Sequence, residues 1–291
     1  TDMIEWTQKP VGYNPAVHDL LVNRAKDGVG LIIPGAIGVF SWAGKACLGD
    51  HPEAFAGVKE TVEEIHSYGS KIFFQLTAGL GRNLPFMKAL YEKKEQLKPM
   101  MDFDFIDASA DDGLPNRWIN EMKSRALTKE EIQMIIEGIA KTALLCKENG
   151  VDGIDVHAIH EGYLLDQFAC SYTNHRTDEY GGTLENRLRF ACDIVKAIKE
   201  KCGQDYPVIL RYSVTSKVKD FNKGIIPADK ESVDIGRNLE ESKEAIRILT
   251  EAGYDGFNAD NGTYDSWYYA HPPVYMPLNC NLNESIAIKP Y

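Results

Sequence analysis

Hydrophobic positions along this chain alternate between two periods, one typical of helices and one typical of strands. Five times a helical pattern ends near a glycine, and a short apolar run follows it directly. The glycines are Gly28, Gly69, Gly150, Gly203 and Gly253. Because glycine readily adopts the left-handed conformation that closes a helix, each of them predicts a helix end followed by a strand. Repeated helix–glycine–strand units predict parallel strands joined by crossover helices.

Two helices stand out in this pattern. The first is predicted from Thr128 to Asn149, with Thr128 and Glu131 as a capping box, and we interpret it as scaffold. Its apolar stripe consists of Ile132, Ile135, Ile136, Ile139 and Ala143. The second is predicted to begin at about Thr183, and its apolar face consists of Leu188, Ala191, Val195 and Ile198.

Polar, cationic or glycyl residues follow nearly every predicted strand. They are Pro34-Gly35-Ala36, Gln75, the group His157, His160 and Tyr163 after the predicted strand Val151 to Val156, Arg211, and Asp260 with Tyr264, Trp267 and His271 beyond it. A barrel gathers the ends of all its strands at one face, whereas an open doubly wound sheet concentrates its ligands at one switch point. The pattern therefore favours a (β/α)8 TIM barrel with an active face at its strand ends.

Composition narrows the class of protein further. The chain has 291 residues, 44% of them hydrophobic, and 43 acidic against 32 basic residues give a net charge of −11. This balance predicts no nucleic-acid partner, and the lack of a long apolar run predicts no membrane span. Six cysteines without a CxxC pair are typical of reduced thiols, and the N-terminal residues do not form a secretory signal. We therefore expect a cytoplasmic protein.

The motif search excludes several site types. The sequence has no dinucleotide-binding glycine fingerprint, no P-loop, no nucleophile elbow and no HExxH zinc motif. His157 and His160 could ligate a metal, but no acidic third ligand is evident, so the sequence predicts no metal site. Imidazole and phenol groups can donate to a carbonyl oxygen, and a phenol can deliver a proton. Hydrogen-bonded structural roles for His157, His160 and Tyr163 remain the alternative.

The sequence HAIHEGYLLDQF at 157–168, followed by TNHRTDEYGGTLENRLRF at 173–190, resembles the old yellow enzyme family of FMN-dependent ene-reductases. Within it, the sequence is most similar to the branch of 2-enoate reductase, 2,4-dienoyl-CoA reductase and the bile-acid-inducible oxidoreductases. The resemblance extends from about Asn14 to Asn283. It implies NAD(P)H as the hydride source, FMN as cofactor and an activated alkene as substrate.

The resemblance also implies which residues bind the flavin. Gln75 matches the flavin-binding glutamine, Arg211 the arginine near flavin N1, and Ala36 the small residue under the flavin edge. A cation suits this place because reduced flavin carries negative charge near N1. From the residues alone, Arg211 could equally be salt-bridged, Gln75 a loop anchor, and Ala36 part of a turn.

Four further residues have catalytic roles by resemblance. His157 and His160 match the pair that polarises the substrate carbonyl, and Tyr163 matches the tyrosine that protonates the substrate carbon. His271 matches a second substrate or proton-relay residue, although a histidine before two prolines is often structural. Glu161 departs from the commoner His-Gly-Tyr pattern, and we expect this extra residue to displace either His160 or Tyr163.

The barrel is expected to be incomplete in this chain. About five strands are found where a barrel needs eight, and the family's first strand and last two strands are not among them. We expect one barrel domain over residues 1–291, truncated from a longer multidomain protein, with an irregular excursion at about 80–126 that could act as a lid. Longer family members also carry FAD and a 4Fe–4S cluster, whose sites are not in this chain.

The sequence therefore predicts a flavin-dependent ene-reductase acting on an enoate, enone, dienoyl thioester or similar alkene. A non-redox (β/α) protein that binds metabolites, or a lyase or isomerase with His157 as base, remains the alternative. The sequence does not distinguish NADH from NADPH, and it is compatible with a homo-oligomer.

Overall fold

The structure, a computed structural model, describes residues 4–5, 12–41, 46–83, 92–100, 102–106, 108–226, 228–229 and 232–291. Its strands are β1 Ile4–Glu5, β2 Gly12–Tyr13, β3 Leu31–Ile32, β4 Ile37–Gly38, β5 Lys71–Thr77, β6 Gly153–Ile159, β7 Val208–Ser213, β8 Val218–Asp220, β9 Lys223–Gly224 and β10 Gly256–Asp260. Its α-helices are α1 Pro15–Lys26, α2 Val58–Ser67, α3 Lys94–Leu97, α4 Phe103–Ile106, α5 Lys129–Glu148, α6 Leu164–Ala169, α7 Leu184–Cys202, α8 Leu239–Ala252, α9 Trp267–Ala270 and α10 Leu282–Ile288. Short 3-10 helices cover Leu48–Asp50, Pro52–Phe55, Gly81–Asn83 and Tyr264–Ser266.

The central sheet is parallel and runs in the order β10-β7-β6-β5-β3, with β4 also pairing with β5. Leu31 pairs with Lys71 and Ile37 pairs with Leu76, so β3 and β4 lie end to end along one edge of β5. Among the described residues, the sheet thus has five strand positions where a closed barrel needs eight. The predicted fold, a partial TIM barrel, is confirmed.

Helices cover one face of this sheet. The polar side chains lie on the other face, toward the ends of the strands. Every residue of β6 is buried, as expected for a central strand covered on both faces. Helices α5 and α7 pack against each other, and their predicted apolar stripes are buried. The capping box of Thr128 with Glu131 is present, and Thr183 caps α7. The two clearest predicted helices are therefore confirmed to within a residue at their first turns.

The prediction that five glycines end helices is confirmed as well. All five predicted glycines have positive φ, from 80° at Gly69 to 122° at Gly253. An L-residue with a side chain rarely adopts this conformation, so each glycine allows a helix to end and the chain to enter a strand.

The strands themselves end later than predicted. The strand predicted from Val151 to Val156 is β6, which runs to Ile159, and β5 continues two residues past Gln75. His157 and Arg211 consequently lie inside strands and not after them. The polar side chains predict earlier strand ends, but alternate strand residues here face the polar interior of the partial barrel. A polar residue at these positions shows which face of the sheet its side chain points to, and it does not mark the end of the strand.

The predicted excursion at 80–126 contains the 3-10 turn Gly81–Asn83 and the short helices α3 and α4, and its residues 84–91, 101 and 107 lie outside the described part. All six cysteines are free thiols, and only Cys280 is not buried. No helix in the described part of the chain is both long and apolar enough to cross a membrane.

Candidate active site

The register of the parallel sheet places one polar row across four strands. Thr77 pairs with His157, His157 with Arg211, and Arg211 with Asn258. Register partners on neighbouring parallel strands project their side chains to the same face. Residues separated by up to 181 positions in sequence, 77 to 258, therefore meet on the inner surface of the partial barrel.

The two predicted histidines form a directly bonded pair. Their Nε2 atoms are 3.2 Å apart, His160 Nδ1 lies 3.0 Å from Asp260 Oδ2, and His157 Nδ1 lies 3.2 Å from Thr77 Oγ1. A carboxylate only accepts, so His160 Nδ1–H donates to Asp260 Oδ2; in the tautomer whose Nε2 carries no proton, His160 Nε2 accepts from His157 Nε2–H. The hydroxyl of Thr77 then donates to His157 Nδ1.

Burial, followed by the charges of His160 and Arg211, holds the pKa of the His157 imidazole well below its ordinary value. His157 is therefore neutral at pH 7. Its Nε2–H is a hydrogen-bond donor that a ligand in the barrel mouth could receive in place of His160.

The extra residue Glu161 is accommodated by a left-handed turn. Glu161 has φ 53° and the following Gly162 has φ 76°. Asn83 Nδ2 donates to the carbonyl oxygens of both residues, at 3.1 Å and 2.5 Å. This tight loop absorbs the insertion, so His160 remains bonded to His157 and the Tyr163 ring lies 4.5 Å from the His157 ring, centroid to centroid. His160 and Tyr163 thus both lie beside His157, and the expected shift of one of them relative to the commoner pattern stays a prediction.

Tyr163 shares a hydrogen bond of 2.8 Å between hydroxyls with Tyr264. Burial, reinforced by this contact, raises the pKa of the Tyr163 phenol well above its ordinary value. Burial also raises the pKa of Tyr264. Both phenols therefore keep their protons across the physiological range, and Tyr163 can act only as a donor of a proton to a stronger base.

Arg211 is held by the last strand of the sheet. Its Nη1 donates to Asn258 Oδ1 at 2.6 Å and its Nη2 to Asp260 Oδ2 at 2.5 Å. Ser213 Oγ donates to the other oxygen of Asp260 at 2.8 Å. Asp260 thus joins Arg211 to His160, and through it to His157.

Gln75 belongs to the same network one row deeper. Its Nε2 donates to Asp155 Oδ2 at 2.8 Å, and Asn258 Nδ2 donates to that oxygen at 3.2 Å. Asp155 is fully buried, and burial raises the pKa of its carboxyl. With Asp155 holding the amide nitrogen of Gln75, the amide carbonyl is directed as an acceptor for a ligand's N–H groups.

A cavity of about 410 Å³ opens beside these side chains. Its polar lining is Gln75, Thr77, His157 and Tyr163. Its apolar lining includes Ala36, Val39, Phe40, Phe105, Leu127 and Ile135. A volume of this size with few polar groups among apolar walls is typical of a small-molecule or cofactor site. Leu80, Gly81, Phe105 and Ala108 from the predicted excursion also line it, as a lid would require.

The structure brings together some predicted site residues and separates others. Ala36, Gln75, His157 and Tyr163 line the cavity, whereas Arg211 and His160 lie behind it in the hydrogen-bonded network. The His271 side chain is 48% exposed; its Nε2 lies 3.0 Å from Glu161 Oε1, and its ring packs against Trp267, which stacks on Tyr264.

The cavity suits the ring of a flavin in its volume and donor set. The backbone from Ala36 to Gly38 presents little side-chain bulk to it, and the Gln75 amide supplies polar atoms beside apolar walls. In the part of the chain that the structure describes, no Arg or Lys lines the cavity. The residues present therefore fit the ring of FMN and do not account for its phosphate.

Sequence reasoning did not assign Thr77, Asp155 or Asn258 to the site, and it noted Asp260 and Tyr264 only among the residues that follow a predicted strand. Asp155 and His157, like Asn258 and Asp260, are two residues apart on their strands. Such polar residues at alternate positions of an otherwise apolar strand were the available signal.

Comparison with known proteins identifies the family. The model of the NADH:flavin oxidoreductase / NADH oxidase family matches residues 3–256. A cinnamate reductase of Clostridium sporogenes is 44% identical over 272 residues, covering 91% of this chain and 38% of that protein. An NADH oxidase of Thermoanaerobacter brockii is 36% identical over 252 residues, covering 85% of this chain and 34% of that protein.

Solved structures show the same fold. A 2-naphthoyl-CoA reductase in complex with 2-naphthoyl-CoA superposes with a TM-score of 0.68 at 22% identity, covering 91% of this chain and 38% of the other. An old yellow enzyme homologue from Zymomonas mobilis superposes with a TM-score of 0.61 at 22% identity, covering 88% and 66%.

This chain spans less than two-fifths of the length of the two curated relatives, 38% of the cinnamate reductase and 34% of the NADH oxidase. The old yellow enzyme family and its enoate reductase branch, predicted from residues 157–190, are confirmed. The chain belongs to the NADH:flavin oxidoreductase / NADH oxidase family.

Proposed function

We propose that this chain is the alkene-reducing part of an NAD(P)H-dependent flavoenzyme. The observation that carries the proposal is the shared cavity. His157, which can donate a hydrogen bond to a carbonyl oxygen, and Tyr163, which can donate a proton, both line this cavity. Ala36 and Gln75, which suit a flavin ring, line it as well. Bound FMN would supply hydride transfer, from NAD(P)H to the β-carbon of an activated alkene.

The protein's part begins with holding the cofactor. Ala36 and Gln75 would contact the flavin ring, and Arg211 would supply positive charge near its electron-rich edge. Asp260 and Asn258 fix the Arg211 guanidinium through two hydrogen bonds, at 2.5 Å and 2.6 Å. A cation held in this way does not reorganise when negative charge develops beside it.

His157 would bind the substrate carbonyl. Because its pKa is depressed, the imidazole is neutral; in the tautomer with the proton on Nε2, it would donate to a carbonyl oxygen in place of its present bond with His160. This hydrogen bond withdraws electron density from the alkene as the β-carbon accepts hydride. His160, oriented by Asp260, positions the His157 ring.

Tyr163 would deliver the proton to the α-carbon. Its raised pKa keeps the phenol protonated, and the enolate formed by hydride addition is a base strong enough to take that proton. The hydroxyl of Tyr264, 2.8 Å away, orients the Tyr163 hydroxyl and can pass a proton back to it.

The substrate proposed is a 2-enoate with an aryl group, as in the name of the cinnamate reductase relative. Phe40, Phe105, Leu127 and Ile135 give the cavity apolar walls on which an aromatic ring can pack. We also propose that residues 1–291 form a single domain, acting within a cytoplasmic flavoprotein.

The test is anaerobic reduction of cinnamate by the FMN-loaded chain, followed separately from the bleaching of flavin absorbance by NADH or NADPH. Because Glu161 also contacts the Tyr163 hydroxyl, the informative variant is Tyr163→Phe combined with Glu161→Gln. We expect alkene reduction to fall by about 10²–10⁴-fold while flavin reduction is retained.

The Glu161→Gln single variant is the matched control and is expected to keep most of the activity. Unchanged alkene reduction in the double variant would contradict the role of Tyr163. Turnover of a substrate without any redox cofactor would instead support a lyase or isomerase with His157 as base.

A further inference from the structure

The C-terminal part of the predicted excursion is an ordered loop that carries a tryptophan to the candidate site. This loop, residues 114–124, is closed by its own backbone, with the N–H of Asn116 donating to the Met122 carbonyl at 2.9 Å. The side chain of Asn116 is fully buried, and its Oδ1 accepts from the backbone N–H of Trp118 at 2.9 Å. The backbone at Trp118 is therefore fixed, although the residue itself is 50% exposed.

The 114–124 loop is tied to two segments of the site. Arg117 Nε donates to the carbonyl oxygen of Tyr264 at 3.4 Å. The indole Nε1–H of Trp118 donates at 3.3 Å to the carbonyl of Asn83, the residue whose side chain holds the turn at Glu161. These bonds place the Trp118 ring against the edge of the Tyr264 ring, with the centroids 5.8 Å apart and the planes at 75°.

Two further aromatic rings contact Tyr264. Trp267 stacks on it at 5.2 Å and 26°, and Tyr163 meets it edge to face at 5.4 Å and 83°. Stacked and edge-to-face arrangements are the geometries that aromatic pairs prefer, so each contact restricts the Tyr264 ring. Trp267 follows Tyr264 in the same helical segment, whereas Trp118 comes from a distant part of the chain. Trp118 thus fixes the ring relative to the rest of the protein.

We propose that Trp118 is a positioning residue for proton delivery. It holds Tyr264 in the orientation from which the Tyr264 hydroxyl bonds to the Tyr163 hydroxyl at 2.8 Å. The proposal rests on the proposed function, in which Tyr163 gives its proton to the α-carbon of the alkene. Rotation of the Tyr264 side chain about its Cα–Cβ bond would break the bond between the hydroxyls, and the edge contact with Trp118 opposes that rotation.

The first test is a double-mutant cycle, read by ¹⁹F NMR of the flavin-free chain labelled with 3-fluorotyrosine. The resonances of Tyr163 and Tyr264 are assigned from their phenylalanine variants. We expect Trp118→Ala to shift the Tyr163 resonance by more than its linewidth. In the Tyr264→Phe background the same substitution should leave the Tyr163 resonance in place, because the hydroxyl that transmits the effect is absent.

The second test follows the two half-reactions of the FMN-loaded chain. Trp118→Ala should slow the oxidation of reduced flavin by cinnamate about three- to tenfold, while reduction by NAD(P)H is retained. A tenfold loss corresponds to about 1.4 kcal/mol, which lies within the contribution of an edge-to-face pair. Trp118→Phe keeps a ring and should recover most of the rate. The matched control is Tyr68→Ala, which removes an aromatic side chain of similar exposure, 45%, and should change neither half-reaction.

Trp118→Leu keeps apolar bulk without a ring, and it tests the same contact if Trp118→Ala does not fold. A Tyr163 resonance that stays in place in these variants would overturn the proposal, as would a shift of equal size with and without the Tyr264 hydroxyl. The NMR measurement uses neither flavin, NAD(P)H nor alkene, so its failure leaves the proposed reductase function intact. Failure of the wild type to reduce cinnamate contradicts the proposed function, and the resonances still decide whether Trp118 positions Tyr163.

Discussion

Two arginine–aspartate pairs near the sheet look alike in contact distance and differ in what surrounds them. Arg237 Nη2 lies 2.8 Å from Asp166 Oδ1, with both side chains 1% exposed. Arg211 Nη2 lies 2.5 Å from Asp260 Oδ2, with the side chains 26% and 11% exposed. The first pair joins α6 to the segment before α8, whereas the second lies between β7 and β10.

The further contacts of each pair distinguish a structural role from a role in the candidate site. Arg237 also donates to the Ser213 carbonyl at 2.8 Å and stacks over the Tyr212 ring, and Asp166 accepts from Gly162 N–H at 2.8 Å. The Asp260 carboxylate instead contacts His160, which can exchange its own partners. We therefore interpret Arg237 and Asp166 as part of the scaffold, and Arg211 and Asp260, which contact a titratable group beside the cavity, as part of the candidate site.

The sharpest test of this contrast is Arg237→Met. Removing the guanidinium leaves the Asp166 carboxylate buried with one partner fewer, which we expect to destabilise the chain by about 3–5 kcal/mol. Urea denaturation monitored by circular dichroism measures the change. Flavin affinity of the folded fraction should stay the same, and a loss of stability below about 1 kcal/mol would show that the pair is not structural.

A third pair, Arg176 with Asp178, is intermediate in burial and has an N–O distance of 2.6 Å. The hydrogen bond from Arg176 lowers the pKa of the Asp178 carboxyl. We expect Asp178→Asn to destabilise the chain by about 1–2 kcal/mol at pH 7.

The pH dependence of that loss has a definite sign. The folded pKa of Asp178 is lower than the unfolded one, so its stabilising effect is complete above the unfolded pKa of about 3.9 and disappears as pH falls through the folded pKa. Wild type and Asp178→Asn should therefore converge in stability in acid. A constant difference down to the lowest pH at which both fold would contradict this assignment.

The smallest expected change in stability belongs to Arg211→Met. Asp260 keeps its hydrogen bonds from Ser213 and His160, so we expect at most about 1 kcal/mol of destabilisation. The reduction potential of bound FMN should nevertheless fall by about 30 mV or more, a tenfold change for a two-electron couple, measured by anaerobic redox titration, because the cation proposed to lie near the reduced ring is lost. Arg211→Lys should recover part of it, and equal losses of stability for Arg211→Met and Arg237→Met would remove the contrast between the pairs.

Local signals in the sequence account for much of the scaffold. Thr128 with Glu131, and the glycines at 28, 69, 150, 203 and 253, act over a few residues, and the structure confirms the helix ends that they predict. The resemblance over 157–190 implies catalytic roles for His157 and Tyr163, and both residues line the cavity.

What the sequence could not predict depends on contacts between distant residues. Asp260 is 100 residues from His160, and Asn258 is 103 residues from Asp155, so only the sheet register brings these pairs together. The turn at Glu161 was equally hidden, because an extra residue in a motif does not reveal whether the chain shifts or loops out. The chain loops out at Glu161, and the Asn83 side-chain amide holds both carbonyl groups of the turn.

At Glu161, the residue type that would favour stability differs from the one that the chemistry of the site requires. A glutamate at φ 53° is less favourable than a glycine by about 1 kcal/mol, yet a glycine would carry no carboxylate toward His160 and His271. An engineering campaign that selected only for heat resistance would be drawn to replace Glu161 early. The resulting protein would be more stable to heat, but its site would lack the Glu161 carboxylate.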